Sequence, residues 1–336
     1  MTRSGLSAGS TVPSSPLVGE LAAAVSRVFQ QSYPFVDAIG LGCIIGCWIL
    51  IQIFVTPFHR MFTLDNQTIQ YPFAAVERVP VLWSIVYAGV IPFSILMVWA
   101  AILRPNPHKV QVTILGFLTA LMLTSLLTDI IKNAVGRPRP DLISRCMPRK
   151  GTPESTLVEW TVCTQSNAHI LQEGWRSFPS GHSSFSFGGL GYLSLSVGSL
   201  LHSSLHGTNN YIRFFSGQMH VFRPRSDLCR CLLVLLPVVC ALMIAISRLE
   251  DYRHDVYDVT SGSILGSAIA YFSYRRYYPS LRSFRCDTPY SRDDFGPDGF
   301  SKIPDDEEQQ LSGRRVQSWT HEEASRLDEP APVQDR

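Results

Sequence analysis

Charge is scarce in this chain. Of its 336 residues only 17% are Asp, Glu, Lys or Arg, against 46% hydrophobic, and several apolar runs exceed the roughly 18 residues that mark a membrane span. That shortage excludes a string of two or three soluble domains, which the length alone would allow. Excess of one sign is also missing. The net charge of +2 sums a basic middle and an acidic C-terminal stretch, so nothing in it points to nucleic acid. Cysteine and histidine never fall at zinc-site spacing, and no carboxylate cluster resembles a divalent-cation site, so no metal or other cofactor is expected. The first residues are rich in Ser, Gly and Ala and lack an apolar core, so no cleavable signal peptide is expected. No internal repeat is present.

What remains is apolar, and it falls into six runs, at about 37–55, 81–103, 110–131, 180–201, 229–247 and 256–274. In lipid every backbone N–H and C=O must be satisfied within its own segment, so each run is predicted to be a helix. The expected fold is all-α, a polytopic bundle of six transmembrane helices over 37–285. The fourth and sixth runs carry many small residues (Ser183, Ser184, Gly188, Gly189, Gly191; Ser261, Gly262, Ser263, Gly266). Small residues let helix backbones approach closely in a membrane bundle, so these two are expected at its centre. Segments 1–36 and 286–336, the latter with Asp305, Asp306, Glu307 and Glu308 in a row, hold too little apolar surface to fold alone and are expected to be disordered.

Six spans place both termini on one side. Arg104 and Lys109, the cluster Arg213, Arg223, Arg225 and Arg230, and Arg275, Arg276, Arg282 and Arg285 fall on that side, which points to the cytosol. Asn66-Gln67-Thr68 is a glycosylation sequon in a loop on the other side, making Asn66 a candidate acceptor. The chain is expected in an endomembrane (vacuole, Golgi or ER) or the plasma membrane. Cys43, Cys47 and Cys240 lie inside apolar runs as small hydrophobes. Cys146 and Cys163 share one polar loop; if it is lumenal, a disulfide is one reading and two free thiols the other.

Three short segments are polar where a plain bundle has no need of it. They are Lys132-Asn-Ala-Val-Gly-Arg137-Pro-Arg139-Pro140, Pro179-Ser180-Gly181-His182, and Ser247-Arg248-Leu-Glu-Asp251-Tyr-Arg253-His254-Asp255-Val-Tyr-Asp258. In a six-span topology all three lie on one membrane face. Lys132, Arg139 and Arg248 offer cations for the charge that spreads over a transferring phosphoryl group. Ser180-Gly181-His182 opens a helix, whose N-terminal N–H groups and dipole attract an anion. His254 and Asp258 stand four apart at a helix start and share a face. A carboxylate on one ring nitrogen would orient the imidazole and leave the other nitrogen free to attack. Asp255 points to another face, so Asp258 is the preferred partner, and His182 is placed to protonate a leaving oxygen. Taken singly, each cation has a plainer reading as a snorkelling span end, and each histidine as interfacial polarity. Their coincidence on one face favours the chemical reading. A channel or transporter would instead need ionisable residues in mid-membrane; Asp129, the one acid near a span end, is expected to pair with Lys132.

These segments resemble the three signatures of the type 2 phosphatidic acid phosphatase superfamily, namely Lys, six residues, Arg-Pro; Pro-Ser-Gly-His; and Ser-Arg, five residues, His, three residues, Asp. All three match without gap or substitution and in order. The phrases Tyr71-Pro72-Phe73-Ala74, Glu77-Arg78-Val79 and Phe178 to Phe185 resemble the fungal diacylglycerol pyrophosphate phosphatase branch. The resemblance implies phosphate binding by Lys132, Arg139, Ser180, Gly181 and Arg248. It implies His254 as nucleophile, His182 as general acid and Asp258 as orienter, acting without metal through a phosphohistidine. The implied partners are membrane lipids and a lipid phosphate substrate: phosphatidate, lysophosphatidate or diacylglycerol pyrophosphate. The alternatives are another lipid-linked phosphate (sphingoid phosphate, dolichyl pyrophosphate) or a non-catalytic lipid-binding relative, which would be expected to lack catalytic residues that are present here.

Overall fold

A computed structural model describes residues 33–203, 228–281, 286 and 288–290. Most of the expected disordered segments, 1–36 and 286–336, and the basic cluster at Arg213, Arg223 and Arg225 lie outside the described residues. Among the described residues the protein is helical, with two isolated β-bridges (Phe62 with Val158, Pro148 with Cys163) and no named strand. The long helices are α1 (Tyr33–Phe54), α2 (Val81–Leu103), α3 (Pro107–Val135), α6 (Gly181–Ser203), α7 (Leu228–Glu250) and α8 (Val256–Tyr277); two short ones, α4 (Leu142–Cys146) and α5 (Ala168–Glu173), lie between α3 and α6. Four of them, α1, α2, α3 and α7, contain segments long and apolar enough to cross a membrane, which makes this a membrane protein. The other two, α6 and α8, are richer in serine and glycine and are not among these four, so four of the six predicted spans are supported among the described residues.

Several boundaries lie beyond the predicted runs, and local chemistry explains two of them. The first helix starts at Tyr33, four residues before Asp37. The third runs on at both ends because Asn106 caps its start by accepting from the His108 N–H, and Pro107 occupies its first turn. Gly136, at φ +56, closes it by donating to the Lys132 carbonyl. A side chain at 136 would also run into the Phe58 carbonyl, with a Cβ only 1.9 Å from its oxygen, so both the left-handed turn and the packing require glycine there. Inside α2, residues Val86–Val90 form a π-turn.

Helix α6 is the axis of the bundle and touches α2, α3, α7 and α8. Its approach to α8 is so close that a Cβ on Gly266 would lie 2.2 Å from the Ser184 carbonyl oxygen, and a Cβ on Gly189 would lie 2.0 Å from the Ala88 carbonyl of α2. Close packing of small residues, rather than exclusion from water, holds helices together where lipid is the solvent. At the end where α3 begins and α8 stops, Tyr192, Tyr274, Tyr277 and Tyr278 pack with Phe117 and Leu121. At the opposite end the loops form a small cap around Phe62, Ile69, Leu142, Cys146, Val158, Leu171 and Trp175. Trp175 is fully buried and donates its indole N–H to the Arg60 carbonyl at 2.9 Å. Cys146 and Cys163 are joined by a disulfide within this cap. Trp175→Ala is expected to destabilise the protein by about 3–5 kcal/mol, read as a lowered unfolding midpoint in detergent; an unchanged midpoint would show that the cap contributes nothing to stability.

Candidate active site

The cap end is where the three polar segments meet. Lys132, in the last turn of α3, is buried and donates to the Arg176 carbonyl at 3.1 Å. Its ammonium lies beside the start of α6: a Cβ on Gly181 would be 3.6 Å from the Lys132 Nζ. Beyond Gly136 the chain turns back, and Arg139 is fixed by its N–H donating to the Gly174 carbonyl at 2.8 Å and by its guanidinium donating to Glu173 at 2.8 Å. Burial alone favours the neutral form of Glu173, but Arg139, Lys132 and Arg176 together hold its carboxyl below the usual range. Glu173 therefore stays ionised and anchors Arg139.

Ser180 is fully buried at the start of α6. Its N–H donates to the Asp258 carbonyl at 2.9 Å, tying α6 to the first turn of α8, and its hydroxyl accepts from the Ser183 hydroxyl at 2.9 Å. Arg248, near the end of α7, is 1% exposed and donates to Glu77 at 2.8 Å and to Asp251 at 2.7 Å. Glu77 also accepts from Arg253 at 2.6 Å. One carboxylate from the α1–α2 loop thus clamps arginines on both sides of the α7–α8 turn.

His254 sits in that turn, buried, with Asp258 behind it. The expected hydrogen bond between them is not formed: the imidazole Nδ1 is 3.7 Å from the nearer Asp258 oxygen, beyond hydrogen-bond range. The Asp258 carboxylate is engaged elsewhere. It accepts from Arg137 at 2.7 Å, from the Ser177 hydroxyl at 2.6 Å and from the Asp255 N–H at 3.0 Å. Asp255 caps α8 and also pairs with Arg137 at 2.8 Å, so of the two acids Asp258 is the one the structure sets against His254. Burial, followed by the nearby Arg139 and Lys132 charges, pushes the His254 imidazole down to about 3 against the pull of Asp258. It is neutral at physiological pH, with its lone pair available.

Lys132, Arg139, Gly181, His182, Arg248 and His254 line a single cavity of about 830 Å³. Ser180 and Asp258 stand behind that lining. The remaining candidates lie away from it. Asn66 is exposed and caps a short 3-10 turn, accepting from the Thr68 N–H at 3.1 Å, and the two cysteines are in the cap. Asp129 does not pair with Lys132 as expected; it accepts from Arg176 at 2.9 Å and from the Trp48 indole at 2.9 Å, because Arg176 reaches it from the far side of the α5–α6 loop. Sequence reasoning missed Arg137, Ser177, Glu77 and Glu173. Arg137 carried a visible signal, since it sits inside the first polar segment, and Glu77 lies in a phrase that carries the resemblance; Ser177 and Glu173 had none.

Nine buried side-chain polar atoms lack a hydrogen-bond partner among the described residues, and five of them surround this cavity: Arg139 Nε, Arg176 Nε, Arg253 Nε, His182 Nε2 and His254 Nδ1. Buried polar atoms are normally satisfied, and three of these five are arginine Nε donors, beside Lys132 and Arg248 in the same cavity wall. Among the described residues no three His, Cys, Asp or Glu side chains gather as a metal-binding group.

The family model for the PAP2 superfamily matches residues 113–282, the stretch that carries all three segments. The chain belongs to the PAP2 superfamily. Curated relatives agree with that assignment. The chain is 38% identical over 229 residues to diacylglycerol pyrophosphate phosphatase 1 of Saccharomyces cerevisiae, an alignment covering 67% of this chain and 73% of the relative. It is 35% identical over 244 residues to a probable diacylglycerol pyrophosphate phosphatase 1 of Schizosaccharomyces pombe, covering 72% and 81%. Lipid phosphate phosphatase 2 of Arabidopsis thaliana is 34% identical over 251 residues, covering 74% and 76%. No solved structure matches the chain.

Proposed function

We propose that this PAP2 protein is a lipid phosphate phosphatase whose nucleophile is His254. The observation that carries the reading is the set of cations and unpartnered arginine Nε donors around both imidazoles, in a cavity that is lined elsewhere by apolar side chains. An anionic head joined to a hydrocarbon tail fits both ends. All six long helices span the bilayer in this reading, the termini face the cytosol, and the active site faces the lumen or the exterior.

The chemistry follows from the placement. Lys132, Arg139, Arg248 and the start of α6 hold the phosphoryl oxygens, where fixed positive charge acts most strongly as negative charge builds in the transition state. Asp258 lies behind Nδ1 of His254 and leaves Nε2 for phosphorus. Attack forms a P–N bond and breaks the bond to the lipid oxygen, and His182 gives that oxygen its proton. Water then attacks the phosphohistidine, His182 takes the proton back, and inorganic phosphate leaves. No step needs a metal ion. Diacylglycerol pyrophosphate, the substrate in the names of the two yeast relatives, stands first with phosphatidate and lysophosphatidate, ahead of sphingoid phosphate and dolichyl pyrophosphate. Phosphate release from each of these in detergent micelles, with and without excess chelator, tests the reading. Turnover of the glycerolipid phosphates is expected to be unchanged by chelator, and an absolute magnesium requirement would sink the mechanism.

A further inference from the structure

The cavity does not end at the phosphate cluster. It continues between α2 and α3, floored by Phe185 of α6, past Ile85, Gly89 and Phe93 on one wall and Leu118 and Met122 on the other. From Lys132 to Leu118 the α3 wall spans roughly 21 Å of helix axis, long enough for most of an extended acyl chain. Val81, Ile85 and Val90 on the α2 side are exposed at the surface, so the groove is continuous with the face of the bundle that meets lipid.

We infer that this groove seats an acyl chain of the substrate and that Gly89, at the π-turn of α2, sets its depth. This rests on the lipid phosphate reading above. Phe185 stands one turn into α6, roughly 6 Å below the level of Gly181, and Gly89 faces it: a Cβ built on Gly89 would lie 3.6 Å from the Phe185 ring. That is ordinary contact, so the first carbon of a side chain is accommodated and anything longer projects into the groove. The extra residue of the π-turn shifts the register of α2 at this point and brings glycine to the groove wall. Such turns recur at functional positions in helices. The chain below that level would be cut off by a larger residue, while the headgroup and the first few carbons would not be touched.

The test compares dioleoyl with dihexanoyl phosphatidate in micelles. In Gly89→Leu the ratio of their kcat/KM values is expected to fall by about tenfold to a hundredfold, the effect of losing a few buried methylene contacts. Gly89→Ala should leave the ratio as it is. Met122→Trp, from the facing wall, is expected to lower the ratio in the same direction and decides the matter if Gly89→Leu does not fold. An unchanged ratio in Met122→Trp and in a folded Gly89→Leu overturns the assignment. Failure of the wild-type protein to release phosphate from any lipid phosphate overturns the underlying reading instead, and is told apart by that control.

Discussion

Replacing His254 with alanine is expected to lower turnover by at least about 10⁴-fold, the scale on which enzymes lose rate when a covalent nucleophile is removed. The protein should still insert and fold. The imidazole is buried, but Nδ1 has no hydrogen-bond partner to strand, and Asp258 keeps Arg137, Ser177 and the Asp255 N–H when the ring is gone. Rapid quenching of a single turnover into alkali, with phosphate-labelled lipid, should trap an acid-labile phosphoprotein in the wild type and none in the variant. Normal turnover in His254→Ala would remove the nucleophile from the mechanism. The same burial has a signed consequence for pH. With its folded value near 3 and an unfolded value of 6.5, His254 binds its proton more readily in the unfolded chain. Its effect on stability is nil above about pH 6.5 and grows unfavourable as pH falls from there towards 3.

The second large effect is expected at Arg248, and the choice of substitution matters. Alanine there would leave Asp251, 5% exposed, without its main cationic partner, and breaking a buried pair in this way is destabilising by about 3–5 kcal/mol. Loss of activity would then be confounded with loss of fold. Lysine keeps the charge beside Glu77 and Asp251 but replaces the planar fork with a point charge. Arg248→Lys is therefore expected to fold and to lower kcat by about 10²–10³-fold, the range for removing a donor aimed at transition-state charge, with a much smaller change in KM. A variant that loses only affinity, with kcat intact, would mean that Arg248 binds the ground state and transition state alike.

These two predictions depend on different kinds of residue. His254 and Arg248 were legible in the sequence because the segment around the α7–α8 turn gathers them within a few positions. Glu77, which holds Arg248, lies 171 residues from it in the chain, and Arg137 is 121 from the Asp258 it binds. No local pattern connects such pairs; only packing of the loops into one cap brings them together. The same limit explains Asp129. Three residues from Lys132 on one helix, it was the natural local partner, yet Arg176 arrives from another loop and takes it.

By itself the sequence determined which segments are helices, since apolar runs in lipid have no other way to satisfy their backbones, and which residues are candidates for phosphoryl chemistry, since those cluster in three short polar stretches. It also placed α6 at the centre, through its glycines and serines, whereas α8, expected there for the same reason, leaves Tyr257, Ile264, Tyr271 and Phe272 exposed on one face. The tertiary structure alone decided how the carboxylates of Glu77, Glu173 and Asp258 are shared among the arginines. It alone decided that His254 stands apart from Asp258 by more than a hydrogen bond, and that an apolar groove runs from the cluster of cations to the exposed face of α2. Each of these depends on distances between elements far apart in the chain, set by close helix packing and not by the composition of any one of them.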